Sequence, residues 1–203
     1  MKKSLSIKQV LLQSVPTFDL SEEWRLMLGE PQTTGSWIIW GRSGSGKSSF
    51  VLRLAKELSR FGVVLYNSLE EGFGKSFMNS LERFGMMDVN GRVQVISEDM
   101  AALSQRLKKR KSPRIVIIDS FQYTGMSYRE YLELKAANRS KLLIFVSHAS
   151  GNNPAGKAAI SVMYDSDEKI WVEGYRAFSK GRFLGERGWF DIWPEKSEMY
   201  WGK

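Results

Sequence analysis

The chain has 203 residues, with 30 Lys and Arg against 22 Asp and Glu, one His and no Cys. That length fits one domain, or one domain with a short arm, and is long enough to bury a core. The lack of cysteine excludes disulfides and thiolate metal sites. The lone histidine excludes metal sites built on several imidazoles.

No apolar run approaches the ~20 residues that cross a bilayer. Met1-Lys2-Lys3 is followed by no long apolar stretch, so no secretion signal is expected and a cytoplasmic setting is. The formal charge of +8 suits a polyanion such as nucleic acid, and equally a soluble protein that happens to be basic.

In chain order, residues 4–15 have the spacing of a short amphipathic helix that Pro16 stops. Ser21 is placed to cap a second helical turn ending near Gly29. These first 34 residues form a helical arm that either covers one edge of the remaining domain or docks on a neighbouring subunit. Trp37-Ile38-Ile39-Trp40 has the character of a buried strand. A helix follows on Phe50, Val51, Leu54, Ala55, Leu58 and Phe61, with Gly62 as its C-cap.

Further β-prone runs at 63–67, 93–96, 115–118 and 142–146 alternate with helical stretches at 73–84, 99–109 and 128–138. Such alternation predicts an α/β fold, a mostly parallel sheet with helices on both faces. The run Ile115–Ile118 is apolar enough to be central. The basic stretch 106–114 has the character of a solvated helix end before a turn at Pro113. Beyond residue 150, Gly151–Gly156 is expected to be a flexible loop. Short strands at 169–173, 175–179, 189–192 and 199–201 are expected to form an antiparallel extension. Trp171, Trp189, Trp193 and Trp201 lie there, as half-buried sheet residues rather than a base-stacking platform.

Gly41-Arg42-Ser43-Gly44-Ser45-Gly46-Lys47-Ser48, between the first strand and its helix, fills every position of G-x-x-x-x-G-K-[ST]. Glycines let successive backbone N–H groups turn inward on a phosphate. Lys47 sets an ammonium against the β- and γ-phosphates of ATP, Ser48 ligates Mg²⁺, and the helix start, including Ser49, adds its positive dipole end. Asp119, just past a buried strand, is the second candidate for the metal and its water shell. Glu70, after the second strand, is the candidate catalytic base, with Glu71 in support. His148, after the fifth strand, can touch the γ-phosphate and report its presence.

This ordered set resembles the RecA-like ATPases, in the branch shared by DnaB-type helicases, RadA and KaiC, over roughly residues 35–185. Its parts are the phosphate loop, a strand with Glu70-Glu71, a strand with Asp119-Ser120 and a strand with Ser147-His148. The resemblance implies a RecA-like ATPase domain over 35–203. Phe178-Ser179-Lys180-Gly181-Arg182-Phe183 is similar to the Lys-x-Arg finger of those rings. Lys180 and Arg182 are therefore expected on one strand, reaching a neighbouring subunit's γ-phosphate. Ser147-His148-Ala149 with Ala155-Gly156-Lys157 is similar to the RadA pattern. Single-stranded DNA is then expected on loops 121–129 and 151–157, near Arg129 and Lys157, in a ring or filament, a hexamer above all. The zinc-binding module of RadA and the amino-terminal domain of DnaB-type helicases have no counterpart in these residues. An RNA-directed or packaging motor, or a KaiC-like ATP switch with little polynucleotide dependence, stays open beside the DNA reading.

Overall fold

The computed structural model describes residues 4–202. Nine strands, β1 (Gly35–Gly41), β2 (Val64–Ser68), β3 (Val93–Ile96), β4 (Ile115–Asp119), β5 (Leu142–Ser150), β6 (Asn153–Pro154), β7 (Glu168–Glu173), β8 (Arg176–Ser179) and β9 (Trp189–Asp191), make one sheet. Its order is β3-β2-β4-β5-β1-β7-β8-β9, with β6 paired to the end of β5. Strands β3 through β7 along this path pair in parallel, whereas β8 and β9 are antiparallel. The antiparallel extension expected at the C-terminal side is present. Its first strand, β7, nevertheless lies parallel to β1, because a helix carries the chain back across the sheet before it.

The helices are α1 (Ile7–Leu11), α2 (Glu22–Leu28), α3 (Lys47–Leu58), α4 (Lys75–Arg83), α5 (Met100–Leu107), α6 (Tyr128–Ala137), α7 (Lys157–Asp165) and α8 (Pro194–Trp201). Adjacent residues of β1 point to opposite faces, and both faces are covered. Trp37 and Ile39 join a cluster with Phe50, Leu54 and Tyr66. Ile38 and Trp40 join one with Leu103, Val116 and Phe145. This two-sided burial is why the strands are apolar runs rather than alternating ones. The structure is an α/β sheet with helices on both faces.

The arm divides in two. Phe18, Leu20, Trp24, Met27 and Leu28 are buried in the main core. Trp24 stacks on Phe190 with ring centroids 4.4 Å apart, and the Ser21 backbone N–H donates to Glu57 at 2.7 Å. Helix α1 is closed by a Ser6–Gln9 capping box but buries none of its residues.

Four local expectations need correction. Helix α3 stops at Leu58 with Ser59 as C-cap, so Gly62 lies in the following turn. Residues 157–165, read as leading straight into strands, are helical, with Ala159 and Val162 buried on the sheet. Residues 199–201 belong to α8 and not to a strand. Pro194 supplies a fixed φ at the first helical position, and that local start overrides the β-prone side chains. The 151–156 loop is a tight hairpin in which Asn153 and Pro154 pair with Ser150 and Ala149.

Candidate active site

The register of the parallel strands assembles the site. Gly41 is opposite His148 across β1 and β5, and Ser68 is opposite Asp119 across β2 and β4. The carboxyl ends of four strands therefore open into one crevice. It is a cleft of about 520 Å³, lined by Ser43, Gly44, Gly46, Lys47, Ser48 and Ser49 together with Glu70, Glu71, Asp119 and His148. Gly41 and Arg42 flank it at the end of β1, and Ser45 lies under the loop.

The loop's glycines answer specific needs. A Cβ on Gly41 would sit 2.4 Å from the Val172 carbonyl oxygen and 2.7 Å from Ser45 Oγ. Gly46, the N-cap of α3, has φ 98°, where side chains are strained. At Gly44 an added Cβ would meet nothing within 4 Å, so the loop's outer side is open. The buried Ser45 hydroxyl has no hydrogen-bond partner. The turned backbone at Gly44 and Gly46, a lysine at a helix start and an adjacent Ser48, all lining the cleft, fit a Mg²⁺-nucleotide phosphate.

Asp119 is held from two sides. Its carboxylate accepts a hydrogen bond from the buried Tyr66 hydroxyl. Burial pushes its pKa above the usual carboxylate range, while Tyr66 and the Lys47 charge pull the other way. Tyr66 itself is pushed well up by burial and by Asp119. The Asp119 carbonyl accepts from the backbone N–H groups of Leu69 at 2.6 Å and Glu70 at 3.2 Å, which fixes the start of the acidic loop. Glu70 then meets His148, with Oε2 and Nε2 2.9 Å apart.

Gln122 ties these pieces to the hairpin beyond β5. Its Nε2 donates to Ser147 Oγ at 2.8 Å and to the Ala155 carbonyl at 3.0 Å, and its Oε1 accepts from the His148 N–H at 3.1 Å. Neither Tyr66 nor Gln122 is singled out by the sequence: Tyr66 reads as one more residue of the second strand, and Gln122 as part of the 121–129 loop. The cleft's remaining wall was also missed: Arg83 and Phe84 at the end of α4, and Tyr175, Ile192, Trp193 and Lys196 from the C-terminal extension.

Lys180 and Arg182 are not brought to the cleft of their own chain. The expectation that they share a strand fails, because β8 ends at Ser179 and a turn follows. In that turn the N–H groups of Lys180 and Arg182 bond to the carbonyls of Lys169 and Asp167, at 2.7 and 2.8 Å. The Lys180 ammonium lies 4.5 Å from the Trp171 ring centre, and Arg182 pairs with Asp167 at 3.1 Å. Beneath the turn, the fully buried Glu168 accepts from Ser179 Oγ and from the Phe183 N–H, each at 3.1 Å. Burial pushes its pKa up to about 8. Arg129 is exposed and pairs with Glu133 at 3.1 Å; Lys157 is exposed as the first residue of α7.

Residues 30–148, more than half of the chain, match the family model described as the AAA domain. The chain belongs to the AAA domain family. Among curated proteins this AAA-domain chain is 33% identical over 102 residues to the DNA repair protein RadA of Streptococcus pneumoniae. That match covers 50% of this chain and 24% of the relative, so the chain spans about a quarter of that protein's length. Among solved structures it superposes on the flagellar accessory protein FlaH from Methanocaldococcus jannaschii with a TM-score of 0.61 at 15% identity. The match covers 87% of this chain and 92% of FlaH. The last match shows a shared fold. With the loop and the crevice, the chain is a P-loop ATPase of RecA-like type. No helix among the described residues is long and apolar enough to cross a membrane.

Proposed function

We propose that this AAA-domain protein binds Mg²⁺-ATP at Gly41–Ser49 and hydrolyses it at interfaces between copies of the chain. One observation carries the reading: Lys47, Ser48, Asp119, Glu70 and His148 converge on one cleft from four neighbouring strand ends. Lys47 neutralises the β- and γ-phosphates. Ser48 and Asp119 hold Mg²⁺, which supplies electrostatic stabilisation of the phosphoryl group when bound. Glu70, oriented by His148, aligns or deprotonates the attacking water. Lys180 and Arg182, remote from their own cleft, serve a neighbour's nucleotide by neutralising charge that develops on the transferring phosphoryl group.

The assembly is a ring or filament, a hexamer by analogy with the family, acting in the cytoplasm on single-stranded DNA in replication, recombination or repair, with helicase action among the outcomes. Support for DNA comes from the RadA relative's description as a DNA repair protein and from the net charge of +8. It also comes from Gln122, which ties the His148 backbone to Ala155 in the hairpin that leads into α7 and its first residue, Lys157. The 121–129 and 151–157 segments with Arg129 and Lys157 are the contacts. ATP turnover measured alone, with single-stranded DNA and with RNA tests this. Stimulation by DNA is expected. Stimulation by RNA alone would select a packaging-type motor, and indifference to both a nucleotide switch.

A further inference from the structure

One end of the cleft has a role that the phosphate chemistry leaves unassigned. Tyr175, in the turn between β7 and β8, is the one residue other than glycine with positive φ (59°) among the described residues. A bulky residue keeps such a backbone only when its surroundings over-determine it, and such outliers cluster at functional sites. Here the surroundings are the phosphate loop itself. The Tyr175 N–H donates to the Ser45 carbonyl at 3.0 Å, and a Cβ on Gly46 would lie 3.4 Å from the Tyr175 ring. The Tyr175 carbonyl in turn accepts from the N–H groups of Ile192 and Trp193, at 2.8 and 3.4 Å.

The two rings meet edge to face, with centroids 6.1 Å apart at 74°. Lys196, one turn into α8, holds its ammonium 3.9 Å from the Trp193 ring centre and 4.9 Å from that of Tyr175. Trp193 is 44% exposed, although tryptophan carries a large apolar surface. All three side chains line the cleft that holds Lys47 and Ser48. Glu70, Glu71 and Asp119 line the same cleft but come from the ends of β2 and β4, which lie on the other side of β1 from β7 in the sheet.

We infer that Tyr175 and Trp193 form the platform on which the nucleobase stacks, with Lys196 as its cationic cap, and that this platform sets a low base selectivity. It deepens the nucleotide reading above and rests on it. A nucleoside triphosphate seated on the loop must send its base out of the phosphate cradle. Tyr175 is bonded to that cradle at Ser45, and Trp193 to Tyr175. Stacking uses the π-face, which every base has, so it attracts without reading the base edge. Tyr175, Ile192, Trp193 and Lys196 offer ring faces, an aliphatic chain and one ammonium, with no side-chain amide or carboxylate among the four to read a base edge bidentately.

The experiment compares affinities for ATP, GTP, CTP, UTP and inorganic tripolyphosphate, each with Mg²⁺, on the full chain and its variants. The wild type is expected to bind ATP more tightly than tripolyphosphate by about 5- to 150-fold, the span that stacking supplies. ATP and GTP should differ by less than about threefold. Trp193→Ala should lose most of the ATP advantage with tripolyphosphate affinity kept, and Trp193→Phe should restore most of it. Three results would overturn the platform: equal binding of ATP and tripolyphosphate by the wild type, a strong preference for one base, or a Trp193→Ala variant that loses both ligands in parallel. Failure of the wild type to bind tripolyphosphate at all would instead count against the phosphate loop, which keeps the two readings apart.

Discussion

His148 Nε2 and Glu70 Oε2 lie 2.9 Å apart, joining the end of β5 to the loop after β2 across the mouth of the cleft. Two residues that the sequence assigns separate tasks thus form one unit. The histidine restrains the carboxylate proposed to act on water. Glu70→Gln is expected to keep ATP binding and to lower kcat by at least about 100-fold, the loss of a general base. His148→Ala should cost about tenfold, and the double variant should be no slower than Glu70→Gln alone, since partners in one unit are not additive. Rapid-quench hydrolysis with separate binding measurements checks this. Full additivity would mean that the two act independently.

Tyr66 supports Asp119 from below, through a hydroxyl that no solvent reaches. Tyr66→Phe leaves the buried carboxylate one donor short at the position expected to hold Mg²⁺. The Mg²⁺ concentration giving half-maximal ATPase activity should rise several-fold with little change in melting temperature. An unchanged Mg²⁺ requirement would make the hydroxyl a packing feature only.

The Lys180–Arg182 turn has its own foundation in Glu168. Its raised pKa, about 8 against an ordinary 4.5, means that the folded chain binds more protons there than the unfolded chain. Stability is then fully favoured below the unfolded pKa and is lost as pH climbs through about 8. Glu168→Gln can keep both hydrogen bonds, accepting from Phe183 and donating to Ser179, without a buried charge. It should flatten the decline of denaturant stability between pH 5 and 8.5 and be the more stable form at the alkaline end, by at most about 5 kcal/mol. An identical slope in both proteins would remove Glu168 as its source.

If the same turn works across an interface, Lys180→Ala subunits mixed with wild type should depress turnover more than in proportion to their share. Because Lys180 packs on Trp171 and Arg182 on Asp167, both outside the home cleft, each variant should bind ATP normally. Strictly linear dilution on mixing would place the two cations outside the reaction.

Much of the sheet was legible because its strands are apolar on both faces and its helices carry the complementary spacing. Trp37 to Trp40 and Ile115 to Ile118 have little alternative to burial in a parallel sheet. The phosphate loop was legible because its chemistry is local, eight consecutive residues between one strand and one helix. What could not be read depends on distant partners. Trp193 and Tyr175 approach the loop only once β7 has inserted beside β1. Glu168 looks like any charged residue at a strand start until Gly181 and Phe183 fold over it. Helix α7 was missed because the β-branched Ile160 and Val162 suit a strand as readily as a helix, and the burial of Ala159 and Val162 where α7 packs on α6 and β1 decides between them.

The central claim is a nucleotide held by one chain and acted on by its neighbour, and per-protomer ATP turnover as a function of protein concentration tests it most directly. The rate should be low in the dilute monomer and climb steeply as copies assemble, with solution mass rising over the same range. Full turnover that stays constant down to concentrations where only monomer is present would contradict a shared site.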